Sequence, residues 1–137
     1  MYKLVKILSG RGNEAESRTV TVTALSAAIS AGTPVNIAAG VVTPLTTSTT
    51  VLATHVVERD AASGATSVFV TDLLPGMVFE APLTAAIGSM KVGGEYKITA
   101  SGVSATAVSS SVRGAILFDP AGASASGDPV LVTFPLA

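Results

Sequence analysis

The sequence predicts an all-β fold, a small barrel or sandwich with little helix, and three observations lead to that prediction. β-branched residues alternate with polar residues in short segments, and no helical periodicity persists for ten residues. The 13 glycines and 7 prolines interrupt the chain at short intervals. Strands separated by frequent turn residues are typical of sandwiches and barrels.

The strand pattern is clearest in six segments. Valines alternate with threonines in residues 19–23, and apolar residues alternate with polar ones in residues 95–100. Four further segments are short and rich in β-branched or aromatic side chains, as strands usually are: residues 51–58, 67–71, 113–118 and 130–134.

An internal repeat is the most informative feature of the sequence. Leu25–Ile29 reads LSAAI and Leu83–Ile87 reads LTAAI, 58 positions later. Three further matches follow in the same order, at offsets of 62 or 63: Gly40-Val41 with Gly102-Val103, Ala62–Gly64 with Ala125–Gly127, and Val68–Val70 with Val130–Val132. The collinear order predicts two similar β units, residues 19–76 and 77–137, related by a pseudo-twofold; chance similarity in an alanine-rich chain is the alternative.

The two Leu-x-Ala-Ala-Ile segments place a leucine and an isoleucine four positions apart. That spacing suits one helical turn closing the end of a barrel, and it suits an irregular extended piece equally well.

Residues 1–18 differ in composition from the β domain, residues 19–137. They contain four of the eight basic residues, Lys3, Lys6, Arg11 and Arg18. The segment is predicted to be an N-terminal arm that adds a strand to a neighbouring subunit; the alternatives are the first strand of the chain's own sheet and a frayed terminus. If it is an arm, its deletion weakens binding to a partner while the domain still folds.

Low charge is the main clue to the surface. Charged residues make up 12% of the chain, against roughly 25% in typical soluble domains, and none occurs between Thr19 and Val57. A surface so poor in charge is typical of a protein packed against copies of itself or other partners. A soluble monomer coated with Thr and Ser is the alternative. The candidate interface residues are the charged groups nearest the predicted arm and turn, Lys3, Lys6, Arg11, Arg18, Glu58 and Arg59.

Several function classes are disfavoured by composition. A net charge of −1 argues against a basic nucleic-acid reader, and the lack of Cys with a single His argues against disulfides and thiolate or multi-His metal sites. His55 has no nucleophile motif near it in sequence, and a hydrogen-bonded or interfacial role is preferred. Asp72 and Glu80 bracket a Pro-Gly turn, which favours the end of a hairpin over a carboxylate pair for glycoside hydrolysis.

The sequence therefore predicts no enzyme activity and no cofactor, metal or small-molecule substrate. It also contains no apolar run of about 18 residues and no signal-peptide pattern, so the expected site of synthesis and folding is a cytoplasm, without membrane binding.

Over residues 25–134 the chain resembles the small β-rich head decoration (cement) proteins of tailed bacteriophages. The resemblance is one of rhythm and composition, and it rests on the segments Ala31–Val35, Gly40–Val42, Val56–Glu58, Gly64, Val68–Val70, Pro75–Glu80, Val92–Ile98, Gly114–Phe118 and Pro129–Val132. It implies a protein made in a host bacterial cytoplasm and bound to the capsid exterior as a dimer or trimer. There it would clamp adjacent major capsid subunits together. It implies no catalytic residues.

Two other functions remain open from sequence. A receptor-binding or adhesive tail or fibre module would need an exposed face of aromatic or polar clusters, and a small hydrolase would depend on His55.

Overall fold

The computed structural model describes residues 2–7, 17–109 and 111–136. Within these residues the chain forms eleven strands and no helix, so the predicted all-β class is confirmed. The strands are β1 (Lys3–Ile7), β2 (Ser17–Thr21), β3 (Pro34–Ala38), β4 (Val41–Pro44), β5 (His55–Val57), β6 (Ser67–Asp72), β7 (Met77–Pro82), β8 (Glu95–Thr99), β9 (Gly102–Ala107), β10 (Ala115–Asp119) and β11 (Pro129–Thr133).

The strands form two antiparallel sheets, an arrangement consistent with a sandwich and not closed into a barrel. The six-stranded sheet has the order β1-β7-β11-β10-β8-β9, and the five-stranded sheet has the order β2-β6-β5-β3-β4. If β1 is set aside, both sheets repeat one order: the first strand of the unit, then its fifth, fourth, second and third. A duplicated sequence would produce this repetition, so the strand order agrees with the repeat found in the sequence.

The two Leu-x-Ala-Ala-Ile segments make the same backbone hydrogen bonds in both units. The N–H of Gly64 donates to the carbonyl of Leu25 (2.7 Å), and the N–H of Gly127 donates to that of Leu83 (2.8 Å). Both glycines have positive φ, at 85° and 92°, which a side chain rarely tolerates. The segments are irregular and extended, so of the two conformations that the spacing allowed, the helical turn is not formed.

Each sheet curls back on itself. In the five-stranded sheet the turn before β4 approaches the end of β2, and in the six-stranded sheet β9 approaches the end of β7. The N–H of Thr23 donates to the carbonyl of Gly40 (2.8 Å), and the N–H of Thr84 donates to that of Val103 (3.0 Å). In the six-stranded sheet the approach is so close that a Cβ on Gly102 would overlap the carbonyl oxygen of Pro82. Only glycine allows this contact between β9 and the end of β7.

Two apolar clusters form the core. One fills the curl of the six-stranded sheet and includes Phe79, Ile98 and Leu117; the other fills the curl of the five-stranded sheet. Successive side chains of a strand point to opposite faces, so Val56 belongs to the first cluster and Val57 to the second. The five-stranded sheet therefore contributes to both clusters, and the two units share a core.

The N-terminal segment belongs to this fold. β1 pairs antiparallel with β7, and the buried Tyr2 donates its hydroxyl to the carbonyl of Gly102 (2.9 Å) while its ring lies 5.4 Å from that of Phe134. Residues 3–7 thus form the first strand of the chain's own sheet, which was one of the alternatives to an arm. Arg11 and the rest of residues 8–16 lie outside the described residues.

Candidate interaction surface

Four of the six predicted interface residues lie around β2 and its neighbours. Lys3 is exposed at the start of β1, and Arg18 is exposed in β2. Glu58 and Arg59 directly follow β5. Lys6 occupies the position in β1 opposite Val78. The fold therefore brings together basic and acidic residues that are far apart in sequence.

Lys3 and Glu58 line one depression between the two sheets. This seam groove has a volume of about 460 Å³ and is lined by Tyr2, Lys3, Leu4, Ser17, Ala31, Gly32, Glu58 and Thr71. Its two charged side chains, Lys3 and Glu58, have opposite sign, so the charges lining the groove balance.

Hydroxyl groups fix the position of Glu58 at the seam groove. The Thr71 hydroxyl donates to Glu58 Oε1 (2.7 Å), and the Ser17 hydroxyl is then the donor to Thr71 Oγ1 (2.9 Å). Thr71 is only 2% exposed, so this hydrogen bonding satisfies a polar group that would otherwise be costly to bury. Sequence analysis missed both hydroxyl residues, because the pairing of β5 with β6 brings Thr71 beside Glu58 and the pairing of β2 with β6 adds Ser17.

Arg18 is held by an intramolecular ion pair. Its guanidinium donates to both carboxylate oxygens of Asp72, at 3.1 to 3.3 Å, from β2 to the end of β6. Both side chains are partly exposed, so the pair contributes only about 0–1 kcal/mol to stability. The pair instead removes a free cation from the surface beside β2.

Arg59 and Asp60 have separate partners. The Arg59 guanidinium lies 4.0 Å above the centre of the Phe69 ring, and Asp60 Oδ1 accepts a hydrogen bond from the N–H of Ala31 (2.8 Å). A cation over an aromatic face is worth about 0.5–1 kcal/mol at an exposed site. Glu58, Arg59 and Asp60 therefore each contact a different residue of the same chain, Thr71, Phe69 and Ala31 respectively.

His55 lies between a hydroxyl and a carboxylate. Its Nε2 is 3.2 Å from Asp72 Oδ1, and its Nδ1 is 2.7 Å from Thr54 Oγ1. The carboxylate can only accept, so Nε2 carries the proton in the neutral ring and Nδ1 accepts from the Thr54 hydroxyl. Burial lowers the pKa of His55, and Arg18 lowers it further, while Asp72 opposes both effects.

The hydroxyl and the carboxylate on either side of His55 also form hydrogen bonds with other residues of the fold. Thr54 Oγ1 also accepts from the N–H of Ile37 (2.9 Å), and Asp72 is shared with Arg18. A nucleophile needs a hydroxyl free to approach a substrate, whereas this one is tied into the junction of β3 and β5. The geometry suits a structural cross-link between three strands.

A cavity of about 480 Å³ opens beside Tyr2 and is lined by apolar and hydroxyl side chains, with Ile29, Pro34 and Leu45 among them. Burial raises the pKa of Tyr2, so its phenol stays neutral and donates to Gly102. Such a lining offers shape and apolar contact, without a group that exchanges protons near neutral pH.

Metal and membrane features can be assessed for the part of the chain that the structure describes. There, no three or more His, Asp or Glu side chains are grouped closely enough to hold a metal ion. No helix in the same residues is long and apolar enough to cross a membrane.

No protein-family model matches the chain, and no curated protein matches it. The fold and the composition define the class as an all-β protein of two antiparallel sheets, similar in strand order, with few charged residues.

Proposed function

We propose that this protein is a structural component of a bacteriophage virion that binds the outer surface of the capsid and stabilises contacts between major capsid subunits. The resemblance of residues 25–134 to decoration proteins suggests the role, and the low charge of the chain is consistent with it.

The observation that carries the proposal is that the β3–β4 end of the five-stranded sheet contains no charged residues of its own. This β4 flank consists of β3, β4 and residues 45–53, all within the charge-free stretch of the sequence. Its exposed residues include Val41, at 53% exposure, together with Thr43, Pro44 and Val51. Arg113 adjoins the flank through its N–H, which donates to the carbonyl of Thr49, and its guanidinium is paired with Glu95. The residues of the flank itself are uncharged and include exposed aliphatic groups, as at the centre of a protein–protein interface, where charged residues are depleted.

Binding to a capsid can be strong overall even when each individual contact is weak. A capsid presents the same site many times, so an oligomeric partner that engages several subunits gains affinity from multivalency. Shape and apolar contact are then sufficient, and a reactive group is unnecessary.

The adhesive or receptor-binding alternative has less support. Four of the six aromatic side chains, Tyr2, Phe79, Tyr96 and Phe134, are buried in the core. Sugar and receptor sites commonly use exposed aromatic faces, so a glycan array with clear, specific hits would favour that alternative over capsid binding.

The test is co-sedimentation of the purified protein with tailed-phage capsids stripped of their decoration protein. The wild-type chain is expected to pellet with capsids of its own phage and to raise their melting temperature. Absence of binding to such capsids overturns the proposal.

A matched pair of variants locates the surface. Val41→Lys places a charge on the β4 flank, and Val92→Lys places the same charge on another exposed valine, 65% exposed, beside the six-stranded sheet. We expect Val41→Lys to weaken capsid binding at least about tenfold and Val92→Lys to leave it unchanged. Equal effects of the two variants would reject the β4 flank as the binding surface.

A further inference from the structure

Among the described residues, no strand covers the outer edge of β2, whereas β1 covers the equivalent edge of β7. β2 and β7 are the first strands of the two units and hold the same position in the repeated strand order. β7 has β11 on one side and β1 on the other, whereas β2 has β6 on one side and, within the described residues, no strand on the other. The repeat therefore shows where an additional strand fits, and β1 shows that it runs antiparallel.

The open edge presents a regular set of hydrogen-bonding groups. The N–H of Val22 donates to the carbonyl of Thr66 on the β6 side, and the carbonyl of Phe69, opposite Thr19, faces β5 and accepts from Glu58. Backbone groups alternate in direction along a strand, so those of Ser17, Thr19 and Thr21 point away from β6.

β2 also lacks the features that usually protect an edge strand. It pairs with β6 through five consecutive positions without a bulge. By contrast, β1 carries two lysines and a bulge, β4 is short and ends in Pro44, and β9 is bulged. Lysine, proline, bulges and short length are the devices that discourage edge pairing. The single charge of β2, on Arg18, is bound to Asp72.

We propose that the occupant of this edge is β2 of a second copy of the chain, paired antiparallel about a two-fold axis at Thr19. In this register Thr19 lies opposite Thr19 of the second copy, Ser17 opposite Thr21, and Arg18 opposite Val20. The outward-facing residues 17, 19 and 21 then form the hydrogen-bonded pairs, giving about six new backbone hydrogen bonds.

The side-chain pattern favours this self-pairing. Pairs of hydroxyl side chains stabilise antiparallel strands, and Arg18 lies opposite Val20, so no like charges lie directly opposite each other. The contact is isologous, so it closes as a dimer and does not propagate into fibres. This inference does not depend on capsid binding.

Single cysteines test the register, because the natural chain has none. Thr19→Cys places the two Cα atoms about 5.5 Å apart across the axis, within the range that a disulfide spans. Thr21→Cys, on the same face and edge, places them about 14 Å apart, and Thr43→Cys lies on β4. We expect a covalent dimer from Thr19→Cys on mild oxidation, and monomers on a denaturing gel from the other two variants.

The oligomeric state tests the contact without a cross-link. Wild-type protein is expected to show the mass of a dimer in light scattering. Thr19→Lys, which places two ammonium groups at the axis, should weaken the dimer about tenfold, while Thr43→Lys changes the net charge equally and should leave it intact. Melting temperatures of both variants confirm that they fold.

Two outcomes overturn the proposal. One is a monomeric wild-type protein whose Thr19→Cys variant does not cross-link, as expected if residues 8–16 or another protein cover the edge. The other is a dimer that cross-links equally through Thr21→Cys or persists in Thr19→Lys. Capsid binding by a protein that fails this test would leave the proposed function standing.

Discussion

At the residue scale, the protonation of His55 links the stability of the five-stranded sheet to pH. The groups that face it are Thr54 on the preceding residue, Asp72 on β6 and Arg18 on β2. Burial makes the neutral ring the preferred form in the folded state, although a carboxylate lies beside it. The sequence placed this residue in a strand and favoured a hydrogen-bonded role, which is the role that the structure gives it.

The lowered pKa of His55 predicts a loss of stability in acid. Its folded pKa lies below the ordinary value of 6.5, so the unfolded chain binds a proton first as the pH falls. The contribution of His55 is therefore complete above that ordinary value, decreases as the pH falls through it, and levels off below the folded pKa. Urea unfolding from about pH 8 to about pH 5 should show a smaller loss of unfolding free energy in His55→Gln than in the wild type. An equal loss in both proteins would contradict this account.

At the element scale, the repeated Leu-x-Ala-Ala-Ile segments act as matched closures of the two curls. Leu25 and Leu83 are both buried, and each is held by a glycine of positive φ from the same unit. The sequence revealed that these two segments are similar but left open whether they were helical. Their hydrogen bonds to residues about 40 positions later decided the extended form, and such contacts are absent from local sequence patterns.

Because Leu25 and Leu83 occupy equivalent positions, they should contribute similarly to the free energy of unfolding. We expect Leu25→Ala and Leu83→Ala each to lower the free energy of unfolding by about 2–5 kcal/mol, because each leaves a cavity in a packed cluster. Leu74→Ala is the matched control, since Leu74 is 53% exposed and its truncation should cost less than about 1 kcal/mol. Chemical denaturation measures all three, and a Leu25→Ala variant as stable as the control would argue against this closing role.

β1 illustrates a choice that composition could not make. Its lysines made it look like an arm, yet Tyr2 is buried against Phe134 and hydrogen-bonded to Gly102, both of which lie about 100 residues or more away along the chain. Deletion of residues 1–18 would therefore remove part of the core together with β1 and the first two residues of β2, so it is no clean test of a partner-binding arm. Edge substitutions such as those at Thr19 and Val41 leave the core intact.

At the scale of the whole molecule, the shortage of charge predicts that association is insensitive to salt. The proposed contacts use backbone hydrogen bonds at β2 and aliphatic or hydroxyl groups on the β4 flank, and ionic screening acts only weakly on either. The dissociation constants of the dimer and of capsid binding should each change less than about threefold between low salt and about 0.5 M salt, as measured by light scattering and by co-sedimentation. A steep loss of binding with salt would indicate that Lys3, Arg18, Glu58 and Arg59 dominate the contact.

The sequence by itself determined the all-β class and the low content of charged residues, and it predicted two similar units with which the strand order agrees. These properties follow from short-range alternation, turn residues and composition, which are visible without knowing which strands meet. Only the tertiary structure decided that β1 joins the second unit, that Asp72 and Thr54 enclose His55, and that no described strand covers the outer edge of β2. Each of these depends on pairing between segments distant in the chain, and pairing is selected by the packing of the whole core, which local side-chain preferences do not encode.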